Sequence, residues 1–403
     1  MERYYKTLID LHLENDNQMI FLAGPRQVGK TTIAQSYTNF PGGYHYLNWD
    51  DTNDRNLILD GNQAIEQKLT LHIARSKKQL VIFDEIHKYK NWKLFLKALF
   101  DKHKEKLHII VTGSAKLNIY QKSSDSLMGR YFLYRIHPLS IAELTHSSRI
   151  FDENEITTPT KMDDSLFNNL LNFGGYPEPY IKSDSRFSNR WQNLRAKQLF
   201  REDILELSHV NEIVLLEQLS VLLTHQVGDL LVRDSLAKKL QVASTTIKNW
   251  IEILEQTYYC YTVQPWSTNI TRSLIKTPKL YLWDWSTITN EGKRLENMVA
   301  SHLLKAVHFW TDAGLGNYRL CYIRNKDKQE VDFVVIKNEI PWFLVEVKTS
   351  STKLSSSLSH FHNILKTQHA FQVVKNLSGD TIDCFSYTEP VIVPMNVFLS
   401  QLI

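Results

Sequence analysis

Gly24-Pro25-Arg26-Gln27-Val28-Gly29-Lys30-Thr31 decides how this chain is read. A glycine, four residues, then Gly-Lys and a hydroxyl residue make the pattern of a phosphate-cradling loop. Glycines let backbone N–H groups turn inward around phosphate oxygens. Lys30 has the reach for the β- and γ-phosphates of ATP, and the Thr31 hydroxyl is the expected Mg²⁺ ligand. The residues expected to contact nucleotide are Gly24, Pro25, Arg26, Gln27, Val28, Gly29, Lys30, Thr31 and Thr32. Context strengthens the motif. The apolar run Met19–Ala23 reads as a strand before the loop, and residues 31–37 read as the helix after it. That helix would present its positive end to the anion.

A second element completes a hydrolytic site. Leu80-Val81-Ile82-Phe83-Asp84-Glu85 is an apolar strand ending in two carboxylates. Alone, such an ending is usually a solvated strand exit. Downstream of a phosphate loop, Asp84 is expected to hold Mg²⁺ and Glu85 to act as general base on the attacking water. A further strand, residues 108–112, runs into Gly113-Ser114. It is expected to lie between the loop strand and the acidic strand. Thr112 and Ser114 are then either sensors of the γ-phosphate or a polar strand exit. Arg130 and Arg135 are candidate arginine fingers, with a solvated surface arginine as the bland alternative for each.

The chain has 403 residues, enough for two or three domains. Its 47 basic and 43 acidic side chains leave a formal net charge of +4, which permits nucleic acid as a partner without requiring it. The start carries charge and no apolar core, so a signal peptide is not expected, and no apolar run has the length of a membrane span. Cys260, Cys321 and Cys384 are scattered and odd in number, offering neither a disulfide framework nor a zinc cluster. A cytoplasmic location without membrane partners is the expectation.

Short strands and helices alternate through residues 1–149, as in a parallel sheet covered by helices. Residues 44–48 and 92–102 supply a further strand and a helix of that block. Residues 150–227 read as a helical lid or linker. Residues 228–290 read as a winged-helix region: a helix over 230–240, a break at Val242-Ala243-Ser244, and a second helix with Ile247, Trp250, Ile251 and Leu254 on one face. A β-rich run at 258–263 follows. Such a module either docks a helix on DNA, with Lys238, Lys239 and Lys248 supplying charge, or packs as a lid on an ATPase. Residues 291–403 form a last block: a helix over 295–307, then strand-like runs at 318–324, 331–337 and 342–348.

Several runs together resemble one family: the phosphate loop, Asp84-Glu85-Ile86-His87, Val111-Thr112-Gly113-Ser114, Gly129-Arg130 and Pro138-Leu139-Ser140. Gly174-Gly175-Tyr176-Pro177-Glu178, Arg201-Glu202-Asp203-Ile204 and Lys279-Leu280-Tyr281-Leu282-Trp283-Asp284 extend the likeness over most of the chain. The chain resembles prokaryotic AAA+-type P-loop ATPases with a C-terminal domain of uncertain function. The resemblance implies an α/β ATPase core, a helical and winged-helix middle and a C-terminal fold similar to restriction endonucleases. It assigns no chemistry to the middle runs.

The last block carries its own constellation. Asp332 lies in Glu330-Val331-Asp332-Phe333, and Glu346 and Lys348 lie in Leu344-Val345-Glu346-Val347-Lys348. Residues 337–341 read as a turn, so the two strands form a hairpin. Residues two apart on a strand share a face, which lets two carboxylates and a lysine meet. That is the arrangement of PD-(D/E)xK nucleases, in which Asp332 and Glu346 would bind a second divalent metal and Lys348 would steady a water. Glu296 on the preceding helix resembles that fold's acidic helix residue and is a further candidate ligand. Glu-x-Lys alone is weak; Glu66-Gln67-Lys68 and Glu291-Gly292-Lys293 also occur. The bland alternative is a charged hairpin edge. The expectation is an ATP-hydrolysing AAA+-type ATPase coupled to a metal-dependent nuclease-like domain acting on DNA, with ATP, DNA and a second copy of the chain as partners. The alternative is an ATP-dependent switch whose last domain only binds DNA or protein.

Overall fold

The computed structural model describes residues 3–113, 127–146, 155–207, 212–267, 277–377 and 381–403. The chain divides into two compact units, one of residues 1–137 and one beginning at Pro138. Ser114, a candidate sensor, lies outside the described residues.

In the first unit five strands form one parallel sheet: β1 Met19–Ala23, β2 Tyr44–Asn48, β3 Gln79–Asp84, β4 Leu107–Thr112 and β5 Tyr131–Arg135. Their order is β2-β3-β4-β1-β5, so β4 lies between the loop strand and the acidic strand as expected. Every residue of β1, β3 and β4 is buried, while the edge strands β2 and β5 are only partly so. Continuous apolar runs are what a strand covered on both faces requires. On one face Phe21, Val81, Phe83, Ile109 and Val111 pack with helix Trp92–His103. That helix buries Trp92, Phe95, Leu96, Leu99, Phe100 and His103, spaced to make one stripe. Ile20, Leu22, Leu80, Ile82 and Ile110 are fully buried on the opposite face.

The second unit opens with helices and ends in a seven-stranded sheet. Asp163 caps helix Asp164–Phe173, and Asp184 caps helix Ser185–Gln198, each side chain accepting from backbone N–H groups of the first turn. Helices Arg233–Leu240 and Ser244–Gln256 follow, the latter burying Ile247, Trp250, Ile251 and Leu254. Then come β6 Cys260–Pro265, β7 Lys279–Leu282, helix Glu291–Asp312, β8 Tyr318–Arg324, β9 Glu330–Lys337 and β10 Ile340–Lys348. Helix Ser356–Leu365, β11 His369–Val374 and β12 Val391–Pro394 finish the sheet. The strand order is β12-β11-β10-β9-β8-β6-β7. Strands β8, β9 and β10 run antiparallel, and β11 runs parallel to β10 through the helical crossover that parallel pairing needs. Asn338 and Glu339, both with positive φ (49° and 68°), close the expected β9–β10 hairpin.

Three boundaries differ from the sequence reading. The first helix of the winged pattern begins at Arg233 rather than 230, because Val227 and Leu230 bridge to Leu280 and Lys279 of β7. Strand β6 begins at Cys260 because Tyr258 sits at φ 58°, outside the strand region. The blocks placed at 228–290 and 291–403 share one sheet: β6 pairs with β8 through Gln264–Cys321 and Pro265–Tyr322. An unpaired strand edge exposes backbone donors and acceptors, so the β6–β7 pair gains by joining the larger sheet. The part of the β7 edge beyond the bridges to Val227 and Leu230 is closed by a side chain. Asn297 accepts from Leu282 N (2.7 Å) and donates to Leu282 O (2.8 Å), standing in for a further strand.

Helix Glu291–Asp312 anchors the start of the second unit. The ammonium of Lys305 donates to Pro138 O (3.1 Å) and Ser140 Oγ (2.9 Å) and pairs with the buried Glu143 carboxylate. One turn earlier, His302 Nε2 accepts from Ile141 N (3.1 Å), while its Nδ1 faces Met298 O at 2.8 Å. The amide donor demands a lone pair on Nε2, so the ring is neutral with its proton on Nδ1. Burial first, and then the Lys305 charge, push its pKa down to about 4. His108 in β4 is also pushed down to about 4, by burial and the charge of Lys78. Unfolded imidazoles take a proton near 6.5, so between pH 6.5 and 4 the unfolded chain binds more protons and stability is lost as the pH drops. The melting temperature is expected to drop over that window. In His302→Gln the slope of stability against pH should shrink by up to about 1.4 kcal/mol per pH unit, as read by denaturant titrations at a series of pH values.

Candidate functional site

The phosphate loop leaves β1 at Gly24, and the backbone there is crowded. A Cβ on Gly24 would stand 2.2 Å from Ile136 O, and Ile136 N donates to Ala23 O at 2.7 Å. Gln27 (φ 63°) and Gly29 (φ 96°) then turn the chain through the left-handed region into helix Lys30–Gln35. Lys30 is buried, and its Nζ donates to Gly24 O (2.9 Å) and Pro25 O (2.6 Å) within the loop. Arg3, which no motif flagged, donates to Val28 O and to His137 O, both at 2.6 Å. It ties the loop to the chain leaving β5.

Three hydroxyls converge on one carboxylate. Thr31 Oγ1 donates to Asp84 Oδ2 (3.2 Å), Tyr46 Oη donates to the same oxygen (2.5 Å), and Thr112 Oγ1 donates to Oδ1. The parallel register sets Asp84 beside both Asn48 of β2 and Thr112 of β4. Thr112 therefore bonds to Asp84 as the last residue of the neighbouring strand. Burial, and then the bond to Asp84, raise the Tyr46 pKa, so its hydroxyl keeps its proton and remains a donor. No local pattern marks Tyr46, since it lies on an ordinary strand.

Glu85 follows at φ 56°, its N–H donating to Thr112 O at 3.1 Å. This left-handed conformation turns it out of the strand direction. Its Oε2 lies 3.6 Å from both Lys88 Nζ and His87 Nε2. Burial raises its pKa, with Lys88 opposing and Asp84 adding to the shift. A carboxylate of raised pKa is a stronger proton acceptor. The Thr31 hydroxyl and the Asp84 carboxylate are adjacent hard oxygen donors, so these residues fit Mg²⁺.

The finger candidates separate. Arg135 ends β5 beside Ala23, at the loop end of the sheet. Arg130 precedes β5 at the opposite end, where Met19 N donates to its carbonyl, and its guanidinium pairs in two-pronged fashion with Asp101 (2.7 and 3.0 Å). The structure does not bring Arg130 to its own phosphate loop.

In the second unit Asp332, Glu346 and Lys348 do meet. The β9–β10 register pairs Phe333 with Val345, so the next step sets Asp332 opposite Glu346. Val347 N donates to Asp332 Oδ2 (2.9 Å), and Lys348 Nζ donates to Glu346 Oε1 (2.7 Å). Glu346 Oε2 is buried without a hydrogen-bond partner. Glu296 joins from helix Glu291–Asp312, its Oε1 accepting from Tyr281 Oη at 2.8 Å. Gly228 sits at φ 76°, and a Cβ there would crowd the same oxygen at 2.9 Å, pushing the Glu296 carboxylate aside. Burial, with the Asp332 charge next, pushes Glu296 and Glu346 up to about 7, and burial raises Asp332 as well.

A second lysine, unforeseen as a site residue, stands among these acids. Lys279 of β7 is 5% exposed, with its Nζ 2.5 Å from Glu330 Oε1, 3.6 Å from Glu296 Oε1 and 3.7 Å from Asp332 Oδ1. Burial works against its charge, but the carboxylates outweigh burial and raise its pKa. Among the described residues no group of three His, Cys, Asp or Glu side chains is placed to hold a metal ion. Glu296, Asp332 and Glu346 converge, and each faces an ammonium, Lys279 beside the first two and Lys348 on Glu346. Alternation places Lys279 and Tyr281 on one face of β7, a signal present in the Lys-Leu-Tyr spacing and left unused.

Comparison with known proteins agrees with the first unit's geometry. A family model described as an AAA domain matches residues 16–145. Residues 164–290 and 291–393 match two domains of unknown function, DUF8612 and DUF4143. The first unit therefore carries an AAA-type ATPase domain. An uncharacterized protein of Methanocaldococcus jannaschii is 24% identical over 87% of this chain and 79% of its own length. Uncharacterized proteins of Mycobacterium tuberculosis and Haemophilus influenzae are each 21% identical over 84% of this chain, covering 72% and 87% of their own lengths. Among solved structures, AMPPCP-bound DnaA from Aquifex aeolicus aligns at TM-score 0.33 and 15% identity over 62% of this chain and 87% of its own. C. elegans PCH-2 aligns at 0.26 and 16% over 34% of this chain and 41% of its own. Scores that low carry no argument about fold. No helix of the described residues is long and apolar enough to cross a membrane.

The crowding at Gly24 has a measurable consequence. Gly24→Ala forces a methyl group against a backbone carbonyl, an overpacking that costs about 1–3 kcal/mol. We expect a lower melting temperature for the first unit and loss of binding of a fluorescent ATP analogue.

Proposed function

We propose that this chain binds and hydrolyses ATP at its first unit and uses the nucleotide cycle to switch a second unit that engages DNA. The convergence of Thr31, Tyr46 and Thr112 on Asp84, with Glu85 immediately after it, carries this reading. Lys30 leaves the Gly24 and Pro25 carbonyls to meet the β- and γ-phosphates of ATP. Thr31 and Asp84 would hold Mg²⁺, which neutralises phosphate charge when bound. Glu85 accepts a proton from the attacking water, and its burial strengthens it as a base. Thr112 and Tyr46 fix the Asp84 rotamer, so that the carboxylate needs little reorganisation. An arginine finger, in this reading, comes from a second copy of the chain, as Arg130 lies at the far end of its own sheet.

Phosphate release tests the reading. Lys30→Ala should abolish nucleotide binding. Glu85→Gln should bind ATP while losing roughly 100-fold or more in turnover. Unchanged turnover in Glu85→Gln would sink the assignment of the base.

DNA engagement draws on the helix pair Arg233–Leu240 and Ser244–Gln256, with Lys238, Lys239 and Lys248 exposed. For the last domain, the succession helix, β8, β9, β10, helix, β11 and the meeting of Asp332, Glu346 and Lys348 favour a nuclease-like layout. The ammonium groups standing among these acids favour binding over cutting. With Mg²⁺ or Mn²⁺ and ATP, supercoiled plasmid is expected to remain intact. Cutting that disappears in Lys348→Ala would establish the metal-dependent nuclease instead.

A further inference from the structure

We propose that Lys279 is the resident cation of the acidic site in the second unit, and that its ammonium excludes a divalent metal from Glu296, Glu330 and Asp332. The inference concerns the second unit alone and does not depend on the ATPase reading.

The protein's own groups engage three of the four acids. Glu330 receives Lys279 on Oε1 (2.5 Å) and Arg324 Nη1 on Oε2 (3.2 Å). Glu296 receives Tyr281 Oη at 2.8 Å and has Lys279 at 3.6 Å. Asp332 receives Val347 N at 2.9 Å and has Lys279 at 3.7 Å. A Mg²⁺ ion asks for near-octahedral oxygens at about 2.1 Å, most of them free of competing donors. Here N–H and O–H groups already point at the acids, and a fixed positive charge stands among them. A divalent ion placed there would face that charge at short range in a poorly screened interior.

Lys279 is also held so that it cannot easily step aside. Its residue pairs with Val263 in the β6–β7 ladder and bridges to Leu230 on the other side. Its Nζ lies 5.6 Å from the centre of the Tyr322 ring. Two residues beyond Lys279, Tyr281 bonds to Glu296, and Asn297 clamps the backbone of Leu282. The strand fixes the Lys279 backbone, and burial with the surrounding carboxylates holds the flexible side chain in place.

Acids of this kind that lacked Lys279 would leave several oxygens facing one point. Among the described residues Glu346 Oε2 is a buried acceptor without a hydrogen-bond partner, on a residue 7% exposed. One carboxylate oxygen is a hydrogen-bond acceptor for a partner's donor, not a metal cage.

Manganese binding tests this directly. The full chain without nucleotide, carrying Asp84→Asn to silence the first unit's site, is titrated with Mn²⁺, and free ion is read by electron paramagnetic resonance. Up to about 1 mM, the weak end of protein divalent sites, this background should bind no ion through Asp332; adding Asp332→Asn should change nothing. Adding Lys279→Met should create one Mn²⁺ site per chain, at least about tenfold tighter than any residual binding in the background, and Asp332→Asn should abolish it. Binding in the background that Asp332→Asn removes would overturn the proposal. So would a folded Lys279→Met protein that gains no ion. Circular dichroism establishes folding. If Lys279→Met does not fold, the background pair decides the matter: equal Mn²⁺ binding supports the proposal and a loss with Asp332→Asn overturns it.

Discussion

A carboxylate taken out of water needs donors or an opposing charge, and both units of this chain are arranged around that requirement. In the first, Asp84 ends a fully buried strand and is met by three hydroxyls from three different elements. In the second, four acids on one helix and two strands are met by two lysines, an arginine, a tyrosine and a backbone amide. The difference between the two solutions is chemical. Hydroxyls are neutral and leave the carboxylate its charge, so a cation is still welcome. An ammonium supplies the charge itself.

Both solutions depend on how sheets are ordered and ended. Thr112 reaches Asp84 only because β4 is inserted between β1 and β3. Lys279 reaches Glu330 only because the β6–β7 pair continues the C-terminal sheet past β8. The edge strand that carries Lys279 is short, and without Asn297 the backbone of Leu282 would lack its partners. Helix Glu291–Asp312 therefore has several tasks. It closes the edge with Asn297, contributes Glu296, and anchors Pro138, Ser140 and Glu143 through Lys305. A buried ammonium and carboxylate of that kind are costly to separate, because either one left alone would be an unpaired buried charge.

The sequence alone determined the phosphate loop, the acidic strand and the strand placed between them. It also determined the β9–β10 hairpin that sets Asp332 across from Glu346. These are local patterns: a motif of fixed spacing, apolar runs of strand length, and a turn between two alternating segments, each legible because neighbours in sequence enforce it. Tertiary structure decided what no local pattern records. Tyr46 and Arg3 reach the nucleotide site from strand β2 and from the first residues of the chain. Arg130 is carried to the wrong end of its sheet for its own loop. The winged pattern and the last block fuse because a strand edge seeks partners, and that fusion brings Lys279 to Glu330 and Asp332, about 50 residues away in sequence. Spacing tells which residues share a strand face; only the assembled sheet tells which charge they face across it.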